Sequence, residues 1–291
     1  MGKFFRYRVL FPALAYLPLP VAYGLAAVVG VFDLWTNRST RRAVIAGVRL
    51  LWPQLSLWQS IKFAIGYFVT QAWECLDACV MRRGKAGGLV RVQGIETLQQ
   101  AQAEGKGVIL IMAHFGRVGL HGLGLALAGF RLGMLTQAID GGRFVESERV
   151  YLRRKAETLH AYMGGCWISL DGRLRDLYRG LEKGETIIII LDAYAPGWRK
   201  HAEQLPFLGG YLALPTGILR LAKRTGARLV YGWTEPEGFR VCGFLTGLSK
   251  EPDLAFQQAV RHLEHKVQRW PWLWWLWPIV GTIWHRQKEH Q

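Results

Sequence analysis

Two short runs of the chain are apolar at every position: Val108-Ile109-Leu110-Ile111-Met112-Ala113 and Ile187-Ile188-Ile189-Ile190-Leu191. A run of this length without polar alternation fits a strand covered on both faces, as in a parallel sheet between helices. Both runs belong to a regular alternation that begins at Leu89. The pattern predicts strands at 89–92, 108–113, 132–136, 166–169, 186–191, 228–233 and 239–245. Between and after them it predicts helices at 96–102, from about 114 to 128, and at 144–162, 173–182, 215–224 and 254–269. Such alternation implies an α/β fold, a largely parallel central sheet flanked by helices. The chain shows no internal repeats and no low-complexity linkers.

Upstream of Leu89 the texture is helical. Residues 38–83 read as helix broken at Pro53, with Ser56 as an N-cap and Arg82-Arg83-Gly84 as a stop. Residues 9–32 carry no charge and are long enough to cross a bilayer, which takes about 20 residues. Pro12, Pro18 and Pro20 would interrupt a continuous helix there. Lys3, Arg6 and Arg8 precede the stretch, and Arg38, Arg41 and Arg42 follow it, so charge gives no orientation. Two readings stand: a broken, monotopic anchor with both basic flanks on one leaflet, or a single span. No small-residue cleavage site follows the apolar stretch, so a removed signal peptide is not expected. The expected organisation is therefore a membrane-associating segment at 1–35, a packed helical segment at 36–88 and an α/β domain at 89–291.

Net charge narrows the partners. With 37 Lys and Arg against 21 Asp and Glu, the chain carries a formal +16 and favours anionic surfaces. Six of its 13 tryptophans fall within residues 270–284, and tryptophan is favoured at membrane–water interfaces. The combination suggests an anionic membrane surface, and no nucleic-acid-binding pattern is present. Cys75 and Cys79 lack redox or zinc spacing and read, with Cys166 and Cys242, as reduced thiols. His262 and His265 have an i, i+3 spacing but no partner cluster, so they read as a solvated face, and no metal is expected.

In open α/β sheets, ligands bind beyond the carboxyl ends of the strands. The first apolar run ends there in His114 and the second in Asp192. A histidine so placed can take a proton from a hydroxyl, and its other reading is a histidine that satisfies loop backbone.

The segment Gly105-Lys106-Gly107-Val108-Ile109-Leu110-Ile111-Met112-Ala113-His114-Phe115-Gly116 resembles the first block of the bacterial lipid A biosynthesis (lauroyl/myristoyl) acyltransferase family, a strand leading into His-x-Gly-Asn-Trp-Glu. Upstream, Val92-Gln93-Gly94-Ile95-Glu96-Thr97-Leu98 resembles the family's strand and Gly-x-Glu-x-Leu. Downstream, Leu181-Glu182-Lys183-Gly184-Glu185 leading to Leu191-Asp192 resembles its Leu-x-x-Gly, strand and Asp. Pro206-Phe207-Leu208-Gly209, Pro215-Thr216-Gly217 and Leu221-Ala222 resemble the Pro-Phe-Phe-Gly stretch and its helix. The tail from Val267 through Trp270-Pro271 resembles the family's closing Pro-x-x-Trp-x-Trp.

The resemblance implies acyl transfer from an acyl-carrier-protein or coenzyme A thioester to a hydroxyl of a lipid acceptor, at the cytoplasmic face of the inner membrane. It implies no cofactor, no metal and no covalent enzyme intermediate. In the family the histidine deprotonates the acceptor, and an acid five residues later orients it.

Here that position is Gly119, while Arg117 and Val118 replace the usual Asn and Trp. Loss of an orienting carboxylate costs about 10⁴ in turnover in the serine-protease case. Three explanations are open: another carboxylate reaches His114, an amine acceptor needs less activation, or the chain binds lipid or carrier protein without turnover. Asp192 is the leading replacement, with Asp140 and Glu146 behind it. Arg117, Arg173, Arg199 and Lys200 are candidate contacts for anionic substrate groups. Phe115, Leu120 and Phe207 are candidate acyl-chain contacts, and His121 reads as packed. Gly122 and Gly124 allow close helix packing or room for a chain.

Overall fold

The computed structural model describes residues 3–137, 139, 144–170, 172–194 and 197–287. The chain starts with α1 (Lys3–Phe5), a π-helical turn at Arg6–Leu10 and α2 (Phe11–Leu14). Helix breaks before Pro18, which caps α3 (Leu19–Thr36). Pro12 and Pro20 sit in the first turns of α2 and α3, where a missing N–H costs nothing. Next come α4 (Arg38–Leu51) and α5 (Leu57–Arg82). Ser56 and Gln59 close a capping box at the start of α5, and Gly84 follows its end at φ 69°.

The α/β portion runs β1 (Val90–Gln93), α6 (Ile95–Ala103), β2 (Val108–Met112), α7 (Val118–Leu127), β3 (Leu132–Thr136), α8 (Glu146–Met163), β4 (Gly164–Ser169), α9 (Arg175–Glu182) and β5 (Thr186–Ile190). It continues with β6 (Ala202–Phe207), β7 (Gly210–Pro215), α10 (Gly217–Thr225), β8 (Arg228–Glu237), β9 (Arg240–Gly247), α11 (Pro252–Arg269) and β10 (Trp284–His285). Seven strands form the central sheet in the order β1-β9-β8-β2-β5-β3-β4. Every neighbouring pair is parallel except β8 with β9.

The two apolar runs are the sheet's central pair, in parallel register with Met112 opposite Ile190. Alternation along them divides the interior. Ile109, Ile111, Ile187 and Ile189 pack with residues of α9, α10 and α11. Leu110, Met112 and Ile188 pack on the other face with residues of α6, α7 and α8. Helix α5 joins both layers, giving Ala64, Tyr67 and Phe68 to the first and Leu76, Val80 and Met81 to the second.

Three strands escaped the sequence reading. β6, β7 and β10 form a small antiparallel sheet, and β6 turns into β7 at Leu208 (φ 51°) and Gly209 (φ 74°). Positive φ at both central residues marks a tight hairpin turn, but Leu-Gly lacks the Asn-Gly or Asp-Gly signature that reveals one. The Leu208 N–H is compensated by a hydrogen bond to Glu264 Oε1 at 2.6 Å.

Of the six carboxy-terminal tryptophans, three lie in the interior and Trp270, Trp272 and Trp275 are half-buried. Trp274, Trp277 and Trp284 are buried, and their indole N–H groups find protein acceptors in Asp192, Pro271 O and Phe207 O. Trp35 and Trp58, near the other end of the chain, are the strongly exposed ones at 68% and 76%. Helix α3 packs along α5 so closely that a Cβ on Gly30 would lie 2.7 Å from Phe68 O. His262 also departs from the sequence reading: it is half-buried and stacked on Tyr231 and Trp233.

His121, on α7, is fully buried over the β8–β9 hairpin, where Cβ atoms on Gly232 and Gly243 would both come within 2.7 Å of its ring. Neither ring nitrogen has a partner. Burial lowers its pKa from 6.5 to about 4. The unfolded chain therefore binds an extra proton between these values, and His121 withdraws stability as pH falls from 6.5 towards 4. The Tm of His121→Leu should accordingly fall less than that of the wild type across this window; parallel pH profiles of the two proteins would contradict it.

Candidate active site

Parallel pairing of β2 and β5 carries the chain on to His114 and Asp192 side by side. Asp192 is fully buried, and its Oδ1 accepts from the His114 backbone N–H at 2.8 Å and lies 3.0 Å from His114 Nδ1. Its Oδ2 accepts from Trp274 Nε1 at 2.9 Å. A carboxylate that already accepts two N–H donors takes Nδ1–H as its third, which leaves the ring lone pair on Nε2. The histidine side chain is 24% exposed.

The loop carrying His114 is held from the tail. Trp275 N–H donates to His114 O at 2.8 Å, Gly116 N–H to Leu273 O at 2.8 Å, and Trp275 Nε1 to Gly116 O at 3.0 Å. Phe115 and Trp274 form an isolated antiparallel bridge. The Trp275 ring lies 5.7 Å from the imidazole. Gly116 sits at φ 66° against Thr234, whose hydroxyl accepts from Arg117 N–H at 3.1 Å. A side chain there would be strained and would displace Thr234.

Of the other carboxylates considered, Glu146 is bound to Arg149 on the surface of α8. Asp140 lies outside the described residues. Arg117 is committed within the protein. It is 3% exposed and pairs with Asp77 of α5, with Nε 2.7 Å from Oδ2 and Nη2 bound to Oδ1. Its Nη1 donates to Phe239 O at 2.5 Å, and Tyr23 OH donates to the same Asp77 at 2.5 Å. The guanidinium thus pins α3, α5, α7 and the β8–β9 turn together.

Phe115, Leu120 and Phe207 are packed in the interior, Phe207 against Trp274 with ring centroids 5.4 Å apart. Beside Gly116 and Arg117 lies a slot of about 40 Å³ between Thr70, Trp73, Thr234 and Trp272. Pockets that hold drug-sized ligands run from roughly 300 to 1,000 Å³. Arg173 is exposed ahead of α9, Lys200 is exposed after β5, and Arg199 donates to Thr282 O at 2.7 Å.

Residues 57–233 match the family described as bacterial lipid A biosynthesis acyltransferase. The chain belongs to that family. Comparison with curated proteins finds no match. Family membership supports an enzyme that transfers an acyl group to a lipid-like acceptor. By length and composition α3 could cross a membrane, and with a membrane-acting family this suggests membrane association.

Sequence reasoning missed the tail's part in the site, because its tryptophans carried an interfacial reading. It also missed Glu74 and Asp77, two carboxylates three residues apart on the buried face of α5. Acidic residues inside an otherwise apolar helical stretch were the available signal, since such charges are seldom buried unpaired. Asp77→Ala should destabilise the fold by roughly 3–5 kcal/mol in chemical denaturation by leaving the Arg117 charge buried alone; a change under about 1 kcal/mol would refute this role for the pair.

Proposed function

We propose that the protein moves a fatty acyl chain from a carrier-protein or coenzyme A thioester to a hydroxyl of a lipid-like acceptor, with His114 as general base and Asp192 as its orienting carboxylate. The observation that carries this reading is the Asp192–His114 hydrogen bond at 3.0 Å, which supplies from β5 what Gly119 lacks. His114 Nε2 takes the acceptor's proton as its oxygen attacks the thioester carbonyl. The tetrahedral intermediate then expels the thiolate, which recovers the proton from the imidazolium. Asp192 stabilises that imidazolium and fixes the tautomer that precedes it.

In this reading the reaction takes place at the cytoplasmic face of the inner membrane. Val21, Leu25, Val28, Phe32 and Trp35 follow one another at alternating spacings of four and three along α3, and all are exposed. This stripe is one face of a helix whose other face is packed on α5, and Arg38, Arg42 and Arg49 are exposed just beyond it. An apolar stripe with basic residues at its end suits a helix lying in a leaflet of anionic lipid better than one surrounded by acyl chains. The formal charge of +16 also suits an acidic carrier protein or a phosphate-rich donor.

Gly119 favours one other reading, an acyltransferase-like scaffold that binds lipid or carrier protein without turnover. Thioester consumption by the full chain in lipid vesicles decides between them. His114→Ala should abolish transfer, and Asp192→Asn should lower kcat roughly 10²- to 10⁴-fold and also lower Tm, because an amide NH2 would then face one of the N–H donors that the carboxylate satisfies. Wild-type activity in either variant would remove this mechanism, and no consumption by the wild type would favour the scaffold.

A further inference from the structure

The space next to Gly119 is already filled by a carboxylate. A Cβ on Gly119 would lie 3.7 Å from Glu74 Oε1, from Lys155 Cε and from Met81 Cε. The carboxylate oxygens of a glutamate are three bonds beyond its Cβ. Glu74, reaching over from α5, therefore presents its charge in the volume a glutamate at 119 would use.

Lys155, from α8, closes on Glu74 Oε1 in an ion pair. Glu74 is 4% exposed, and its Oε2 has no hydrogen-bond partner. Burial raises the Glu74 pKa and Lys155 opposes the rise; for Lys155, burial works against the charge and Glu74 more than offsets it. The lysine remains a cation with N–H donors to spare. Its side chain keeps 17% exposure, and Nζ lies 5.8 Å from the centre of the Trp275 ring, the indole that stands 5.7 Å from His114. One indole thus has the base at one side and the ammonium at another.

We propose that Glu74 is a positioning residue that has taken over the space vacated at Gly119, and that it holds Lys155 beside the His114 site as the ligand for a phosphate group of a substrate. A point cation on a flexible stem suits phosphate. Burial against Glu74 fixes the stem, so the ammonium is in place before substrate arrives. The assignment rests on the acyl-transfer reading for its role in turnover, but the shared volume at Gly119 and the phosphate contact stand without it.

Two measurements on the full chain test it. In the first, Tm is recorded for Gly119→Glu, Glu74→Ala and the double variant. Gly119→Glu alone should lower Tm by crowding a second carboxylate against Glu74, and the double variant should recover most of the loss, because the new glutamate then pairs with Lys155. Strictly additive shifts would show that the two side chains do not share the volume, and would overturn the proposal. In the second, inorganic phosphate at constant ionic strength should raise the Tm of the wild type and Lys155→Arg but not that of Lys155→Met. Equal shifts in all three would overturn the phosphate contact.

Where thioester consumption is measurable with palmitoyl-coenzyme A and vesicles of the host's total lipid, Lys155→Met should raise one apparent KM roughly tenfold or more at little-changed kcat and an unchanged pH profile. A rise for the lipid assigns the phosphate to the acceptor, and a rise for palmitoyl-coenzyme A assigns it to the donor. A loss confined to kcat would overturn substrate binding by Lys155. Absence of turnover in the wild type would count against the acyl-transfer reading alone, since both Tm measurements would still decide this one.

Discussion

A carboxylate with no access to water has to be satisfied by N–H donors, and Asp192 is satisfied by three: the His114 backbone, the His114 ring and the Trp274 indole. These bonds join the end of β5, the end of β2 and the carboxy-terminal tail. Each donor is in place because something else is. The in-register pairing of β2 with β5 sets the spacing of His114 and Asp192. The antiparallel contact of residues 114–116 with 273–275 sets the indole. The tail is therefore part of the site's frame as much as of the core.

A second polar system lies behind the first. Arg117 with Asp77 and Tyr23, and Lys155 with Glu74, are ion pairs at the interfaces where α5 meets α3, α7 and α8. Buried pairs add little net stability compared with apolar packing, but removing one partner is costly. That asymmetry lets them dictate how the amino-terminal helices seat on the α/β portion.

The amino-terminal helices add an exposed apolar face to this frame. α3 is divided lengthwise: Ala22, Tyr23, Ala26 and Gly30 face the protein, and Val21, Leu25, Val28 and Phe32 face outward. Because Tyr23 reaches Asp77, the helix that carries the exposed stripe is tied by one hydrogen bond to the ion pair at the start of α7, just beyond the His114 loop.

Local pattern was sufficient for most of this fold. Uninterrupted apolar runs identify β2 and β5, Ser56 and Gly84 delimit α5, and helix–strand alternation gives the α/β class, because these signals act over a few residues. His114 and Asp192 could be nominated as well, since each ends such a run. Their hydrogen bond could not be read, because it depends on which strands become neighbours, and 73 residues separate the end of β2 from the start of β5. The same reason hid the tail's indoles, the β6–β7 hairpin and the charges around Gly119. Composition assigns tryptophan to an interface and arginine to a substrate, but burial is a property of the assembled chain. Only the packed structure decided that Trp274 serves Asp192, that Arg117 serves Asp77, and that the volume beside Gly119 belongs to Glu74.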